Sequence, residues 1–365
     1  MQQNKMKVAL GSKIIHGPWG GGNLFTINLK KYLIKNNIEV VTNLIDPDID
    51  IVLLTEPRVE SATSTITSME ALLYKKFVNK NTKIVHRINE CDERKNTNYV
   101  NKKMISISSK SDFTIFVSSW IKNLYQNIGI DSDESEVVLS GSDNLVFNHK
   151  GKIPWNGKSK LKLVTHHWGN NWNKGFEVYS YIDKLLDSEE FNSQFEFTYI
   201  GNLAKNFKFK NVSYIKPLNG FELSEELKKH DLYITGSLNE PSGNHHIEGA
   251  LCGLPVLYIN SGGISEYQED FGSEYTLANL SEKLFQIRKE YSSYYRKNLA
   301  FPFYANQMSE KYLNIFLKIF SEGKTKKISL YLIIYRFFYS LKFISLIKKI
   351  LAKLIYQLRK YDNYQ

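Results

Sequence analysis

Short apolar runs and stretches of helical period alternate along most of this chain. The runs Lys7–Ser12, Glu39–Leu44, Ile51–Thr55, Lys83–Ile88, Phe113–Ser118 and Val137–Leu139 predict strands. Between them, Asn23–Lys35 carries Leu24, Ile27, Leu29, Leu33 and Ile34 on or near one helical face, and Ile66–Val78, Tyr99–Ser109 and Trp120–Ile128 also have helical spacing. Asn148–Lys160, with Gly151, Pro154 and Gly157, reads as a linker, after which the alternation restarts. Leu161–His166, Phe195–Ile200, Val212–Ile215, Leu232–Thr235 and Val256–Ile259 predict strands; Phe176–Leu186, Leu223–Lys229 and Asn244–Leu251 predict helices. Strands separated by helices imply mostly parallel sheets with right-handed crossovers. The expected organisation is two doubly wound α/β units, 1–150 and 158–300, a helix in 301–323 that crosses back, and a tail, 324–365. Such units leave a cleft at their strand C-termini, where open α/β sheets bind ligands.

Composition changes this picture in one place. The net charge is +11, yet ten Lys or Arg and no Asp or Glu fall between Lys324 and Tyr361, leaving 38 basic against 37 acidic residues elsewhere. The body is therefore nearly neutral and the excess is a local, apolar-rich tail, which suits an acidic surface as partner. Two cysteines, Cys91 and Cys252, exclude a disulfide framework and a cysteine-based zinc site, and suit a reducing, cytoplasmic compartment. No secretory signal and no transmembrane run of about 18 apolar residues is expected.

Candidate chemistry lies at strand-to-helix junctions. Leu232–Thr235 ends in the loop Gly236–Glu240, and a helix begins near Ser242–Asn244. Its free N–H groups and positive dipole end make a seat for phosphate. Glu240 in the loop and Glu248 on the second turn suit neutral hydroxyls such as those of ribose and hexose. Ser261-Gly262-Gly263 can bring backbone close to a ligand. A second junction, His166-His-Trp-Gly-Asn-Asn-Trp-Asn-Lys174-Gly175, offers Lys174 as a compact cation for a diphosphate leaving group. In a third, Gly17-Pro-Trp-Gly-Gly-Gly22-Asn23, three glycines allow close approach to a diphosphate or acceptor, although a flexible turn has the same composition. A fourth, His86-Arg-Ile-Asn-Glu-Cys-Asp92-Glu-Arg94-Lys95, follows a strand; His86 there can equally be a buried, hydrogen-bonded histidine. Asp46-Pro-Asp48-Ile-Asp50 precedes its strand and reads as a turn rather than a metal pair. There is no zinc spacing, no Gly-x-Ser-x-Gly elbow and no Gly-Lys-Ser/Thr phosphate loop.

Two Glu separated by seven residues, then Ala250-Leu-Cys-Gly-Leu-Pro255, then Gly262-Gly263-x-x-Glu266, resemble the donor-site signature of family 4 retaining glycosyltransferases, group 1 type, of GT-B fold. The resemblance covers most of 6–270. It implies two Rossmann-like domains facing a central cleft, a first acceptor-side domain and a second donor-nucleotide domain. It implies transfer of a glycosyl group from a nucleoside-diphosphate sugar to a hydroxyl with retention, needing neither metal nor cofactor. By the same resemblance Glu240 contacts the donor sugar and Glu248 the ribose. Gly243 and Asn244 offer amides to the donor sugar or its phosphates, Lys174 grips the diphosphate, and Gly21, Gly22 and Gly263 border the donor. Relatives place a His or His-Asp pair near the reacting sugar at about the point where this chain has Asn89-Glu90, with His86 one strand-step earlier, so His86 and Asn89 are the candidates there. Relatives carry a Gly-Arg pair ahead of Lys-Gly, where this chain has His167, Trp168 and Asn170, so the source of a second cation is open. Leu139-Ser-Gly-Ser-Asp143-Asn-Leu-Val-Phe147 is similar to the family's Asn-Gly-x-Asp-x-x-x-Phe element, with Ser140 for the Asn.

In the tail, Lys342, Lys349, Lys353 and Lys360 fall on one side of a helix, and Leu346, Ile350 and Leu354 toward another. This pattern suits a helix in an anionic membrane interface, or one packed on the protein with its cations in water. The partners implied are a nucleotide-sugar donor, a glycan or lipid-linked acceptor in cell-surface polysaccharide synthesis and an anionic membrane, but no nucleic acid. A sugar-nucleotide epimerase on the same fold and a noncatalytic membrane-associated scaffold are the rival readings.

Overall fold

The computed structural model describes residues 5–130, 133–320, 329–341 and 343–362. Among the described residues, twelve strands form two sheets of six. The first domain contributes β1 (Lys7–Leu10), β2 (Glu39–Val41), β3 (Ile51–Leu54), β4 (Lys83–Ile88), β5 (Phe113–Phe116) and β6 (Ser135–Val137). The second contributes β7 (Leu161–His167), β8 (Phe195–Gly201), β9 (Ser213–Ile215), β10 (Leu232–Thr235), β11 (Val256–Ile259) and β12 (Ser273–Tyr275). Every pairing is parallel. Because helices cover both faces, the strands β1, β3, β5 and β10 are buried at every position and read as largely apolar runs, broken only by Lys7, Thr114 and Thr235.

The sheet orders are β2-β1-β3-β4-β5-β6 and β12-β11-β10-β7-β8-β9. Both are doubly wound Rossmann-like topologies, with strand order reversing between β1 and β3 and between β10 and β7. Ligands in such sheets bind beyond the strand C-termini at the reversal. The glycine loop follows β1, the Lys174 loop follows β7, and the Glu240 loop follows β10, so all three phosphate-seat segments lie at these points.

The helix Ala305–Ile319 returns to the first domain, where Met308, Tyr312, Ile315 and Phe316 fill the core beside Phe25, Leu29 and Leu33 of helix Gly21–Lys35. The two domains are also clasped at a seam. Both carboxylate oxygens of Glu266 accept backbone N–H groups at the start of helix Ser119–Asn127, from Ser119 at 2.7 Å and Trp120 at 2.8 Å. The Tyr267 hydroxyl donates to Val117 O and accepts from Ser140 N. Thus the Glu266 end of the signature joins domains.

The tail is both packed and exposed. Helix Leu330–Ser340 buries Leu332 and Tyr335 in the first domain's core, and Arg336 Nε donates to Ile45 O at 2.7 Å. In helix Phe343–Asp362, Lys348 pairs with Glu70 at 2.8 Å, while Leu346, Ile350, Leu354, Lys349 and Lys353 stay exposed. Lys324, Lys326, Lys327, Lys342 and the side chains of Arg359 and Lys360 lie outside the described residues. Among the described residues no single helix is long and apolar enough to cross a membrane.

Candidate active site

Between the domains lies a cleft of about 460 Å³, bordered by the three loops at the sheet reversals and by the end of β4. Its size is that of a small-molecule site. Two helix starts meet there. Helix Asn244–Leu251 follows Gly243, whose φ of +72° and near-contact with Glu240 exclude a side chain. Helix Gly21–Lys35 follows Gly20. Neither start has a side-chain cap, and a Cβ on Gly21 would lie 3.2 Å from Asn244 Cγ. Uncapped N–H groups from both domains therefore converge on one point, a place for anionic oxygens.

Charge at that point is arranged around Glu240, which is 4% exposed. Its carboxylate accepts from Lys174 Nζ and lies 3.3 Å from the Arg94 guanidinium. Burial opposes ionisation, but Arg94 and Lys174 overcome it and hold the carboxyl at about 2. Arg94 belongs to the first domain, in the short helix Asp92–Lys95, and is shared with Glu90 at 3.3 Å. Asp92 fixes the following chain by accepting from Thr97 Oγ1 and from the amides of Tyr99, Val100 and Asn101. Across the cleft, Asn173 and Asn239 donate to the Glu93 carbonyl. The second cation that the Lys174 loop lacks thus comes from the opposite domain. The sequence signal was the absence of a second cation in the Lys174 loop; nothing local showed that Arg94 would meet it.

Glu248, 3% exposed, lies one turn deeper. Its Oε2 is 2.9 Å from His166 Nε2, and His166 Nδ1 is 3.1 Å from the Tyr233 hydroxyl. This hydrogen-bonded chain suits a carboxylate that also accepts from hydroxyls. His167 and His245 lie beneath, bonded to Tyr179 and Thr235. Burial lowers both pKa values well below the usual histidine range, so they are neutral scaffold groups. At the rim, the Trp19 and Trp168 rings meet across the domains at 5.1 Å.

Of the site residues expected from sequence, Glu240, Lys174, Glu248, Gly243, Asn244, Gly21, Gly22 and Asn89 all line this cleft. Two do not. His86 is fully buried on the other face of β4, with Nδ1 2.8 Å from Ser108 Oγ, and burial pushes its pKa to about 3. It is a core histidine. Gly263 sits at the seam, where a Cβ would fall 2.5 Å from Pro241 O and 2.6 Å from Ser118 Cβ. Its N–H donates to Glu240 O at 2.9 Å, so the glycine fixes the Glu240 backbone rather than touching a ligand. The Asp residues near 46–50 are also structural: Lys7 Nζ pairs with Asp46 at 3.1 Å and Asp48 at 2.9 Å.

Residues 193–285 match the family described as Glycosyl transferases group 1. No curated protein matches the chain in sequence. Among solved structures, a glycosyltransferase from Rickettsia africae ESF-5 is 17% identical and has a TM-score of 0.59; the match covers 87% of this chain and 99% of that one. Anabaena HepE, crystallised with UDP, is 13% identical over 86% of this chain and 100% of that one, with a TM-score of 0.64. HepE is also known in complex with UDP-glucose. AviGT4, a glycosyltransferase involved in Avilamycin A biosynthesis, is 13% identical over 86% of this chain and 98% of that one, at 0.60. At these identities the likeness is one of fold.

Proposed function

We propose that this chain, whose residues 193–285 match the family described as Glycosyl transferases group 1 and whose fold is GT-B, moves a sugar from a nucleoside-diphosphate sugar to a hydroxyl. The observation that carries this reading is the convergence of two uncapped helix starts with Lys174 and Arg94, beside two buried carboxylates, at the sheet reversals. In this reading the diphosphate takes the amides near Gly21, Gly22, Gly243 and Asn244, and draws Lys174 and Arg94 from Glu240. Glu240 then accepts from the donor sugar and Glu248 from the ribose. The C1–oxygen bond to the diphosphate breaks as the acceptor oxygen bonds to C1. The acceptor oxygen attacks on the face that the phosphate leaves, so configuration is retained without a protein nucleophile, and the departing phosphate oxygen takes the acceptor proton. Lys174 and Arg94 stabilise charge on the leaving group, the largest need of the reaction, so no metal is required.

A binding and turnover screen across UDP-, GDP- and ADP-sugars in chelator tests this. UDP-sugars are the first to try, since HepE was crystallised with UDP-glucose. The expected result is nucleotide binding, and transfer with retained anomeric configuration, read by NMR of the product. Epimerised nucleotide without transfer would favour an epimerase, and no nucleotide binding a scaffold. Glu248→Ala is expected to weaken nucleotide affinity by about tenfold, since a hydrogen bond to a charged group contributes roughly 1.5 kcal/mol or more. Calorimetry with UDP checks it.

The acceptor, in our reading, is a glycan or lipid-linked sugar of cell-surface polysaccharide synthesis, met at an anionic membrane. The support is the tail: two helices anchored through Leu332, Tyr335 and Arg336 turn Ile333, Phe337, Leu346, Ile350 and Leu354 outward beside exposed Lys349 and Lys353. The full chain is expected to sediment with phosphatidylglycerol-containing vesicles and not with phosphatidylcholine alone. Joint Lys349→Glu and Lys353→Glu should weaken that association at least tenfold, at about 1 kcal/mol per basic residue near the surface.

A further inference from the structure

Arg87 takes no part in the transfer proposed for this cleft. It lies in β4, on the face opposite His86, and lines the cleft together with Asn89, which follows the strand's end. Only 4% of the residue is exposed. Its Nε donates to the Tyr312 hydroxyl at 3.1 Å, and its guanidinium carbon stands 3.9 Å from the centroid of the Phe25 ring. Both neighbours are neutral. Among the described residues no carboxylate pairs with it, and Nη1 is buried without any hydrogen-bond partner. A guanidinium cannot shed its proton to escape such a setting. A ring face offsets part of the cost of burial, but an unpaired buried cation calls for an anion.

The surroundings indicate which anion. All charged side chains that the first domain places on the cleft wall are cations: Arg87, Arg94 and Lys95. The wall's carboxylates, Glu240 and Glu248, belong to the second domain. Arg94 and Lys95 are held by Glu90, and Arg94 also faces Glu240, on the side where the diphosphate is placed. Arg87 is apart from that group, packed between helix Gly21–Lys35 and helix Ala305–Ile319. We propose that Arg87 is a specificity-determining residue that receives an anionic group, phosphate or carboxylate, of the sugar acceptor. The proposal rests on the transferase reading and adds to it that the acceptor is charged near the hydroxyl that is glycosylated.

The test uses the full chain saturated with UDP and titrates it with glucose, glucose 6-phosphate and glucuronate. At least one charged sugar is expected to bind tenfold or more tightly than glucose, and whichever does so distinguishes a phosphorylated from a uronate acceptor. Arg87→Gln should abolish that preference while leaving UDP affinity unchanged; Arg87→Lys should retain part of it. Equal binding of all three sugars by the wild type would overturn the proposal without any variant being needed. So would a preference that survives Arg87→Gln, or a fall in UDP affinity in that variant, which would give the guanidinium to the donor. Failure of the wild type to bind UDP at all would instead strike the transferase reading.

Discussion

Lys174→Met is expected to lower kcat by about 10²–10³-fold, equivalent to roughly 3–4 kcal/mol of transition-state stabilisation. Lys174 is held at the end of the Trp172–Lys174 turn, only 7% exposed, with its ammonium against Glu240. Negative charge grows on the leaving diphosphate as C1 departs, and in a site closed to water a fixed ammonium is far more effective than in bulk solvent. The loss should appear in kcat more than in donor KM, because the charge develops in the transition state. Steady-state kinetics with a donor identified by the screen checks this. A KM effect alone would make Lys174 a binding residue.

Glu240→Gln should separate affinity from turnover in opposite directions. Glu240 pairs with the two cations that a diphosphate needs. Neutralising it frees Lys174 and Arg94, so UDP is expected to bind severalfold more tightly. Turnover should fall by about 10–100-fold, or about 1.4–2.7 kcal/mol, because the donor sugar loses an ionised acceptor. The variant protein should also be less stable, since removing one partner strands buried charge. Glu240 titrates at about 2 in the fold against an ordinary 4.5. Its depressed pKa means that its contribution is complete above 4.5 and is lost as pH falls toward 2. Melting curves of the wild type and variant should therefore differ at neutral pH and converge across that window.

Much of this arrangement was legible in the chain. Helix Asn244–Leu251 and strand Val256–Ile259 occur at the residues expected, because Gly243 bounds the helix start and Gly253-Leu-Pro255 separates the two elements. The reversals of strand order then bring the Lys174, Glu240 and glycine loops together, which loop composition alone could not show. His86 and Arg87 illustrate a limit. A strand buried on both faces has no polar alternation, so nothing in Val85-His86-Arg87-Ile88 says which side chain faces the cleft, and a one-residue difference reverses the answer. Arg94 and Gly263 illustrate another. Each acts through a partner in the other domain, Glu240 for one and Ser118 for the other, and domain packing leaves no local period in sequence. In the tail the helical spacing was readable, but the split between buried Leu332 and Tyr335 and exposed Ile333 and Phe337 depends on where the first domain's core lies.

A crystal structure of the full chain with UDP is the most direct measurement. The β-phosphate should accept the Asn244 N–H, with Lys174 Nζ and the Arg94 guanidinium within hydrogen-bond reach and the ribose on Glu248. A nucleotide bound outside the cleft, or a diphosphate beyond the reach of Lys174, would contradict it.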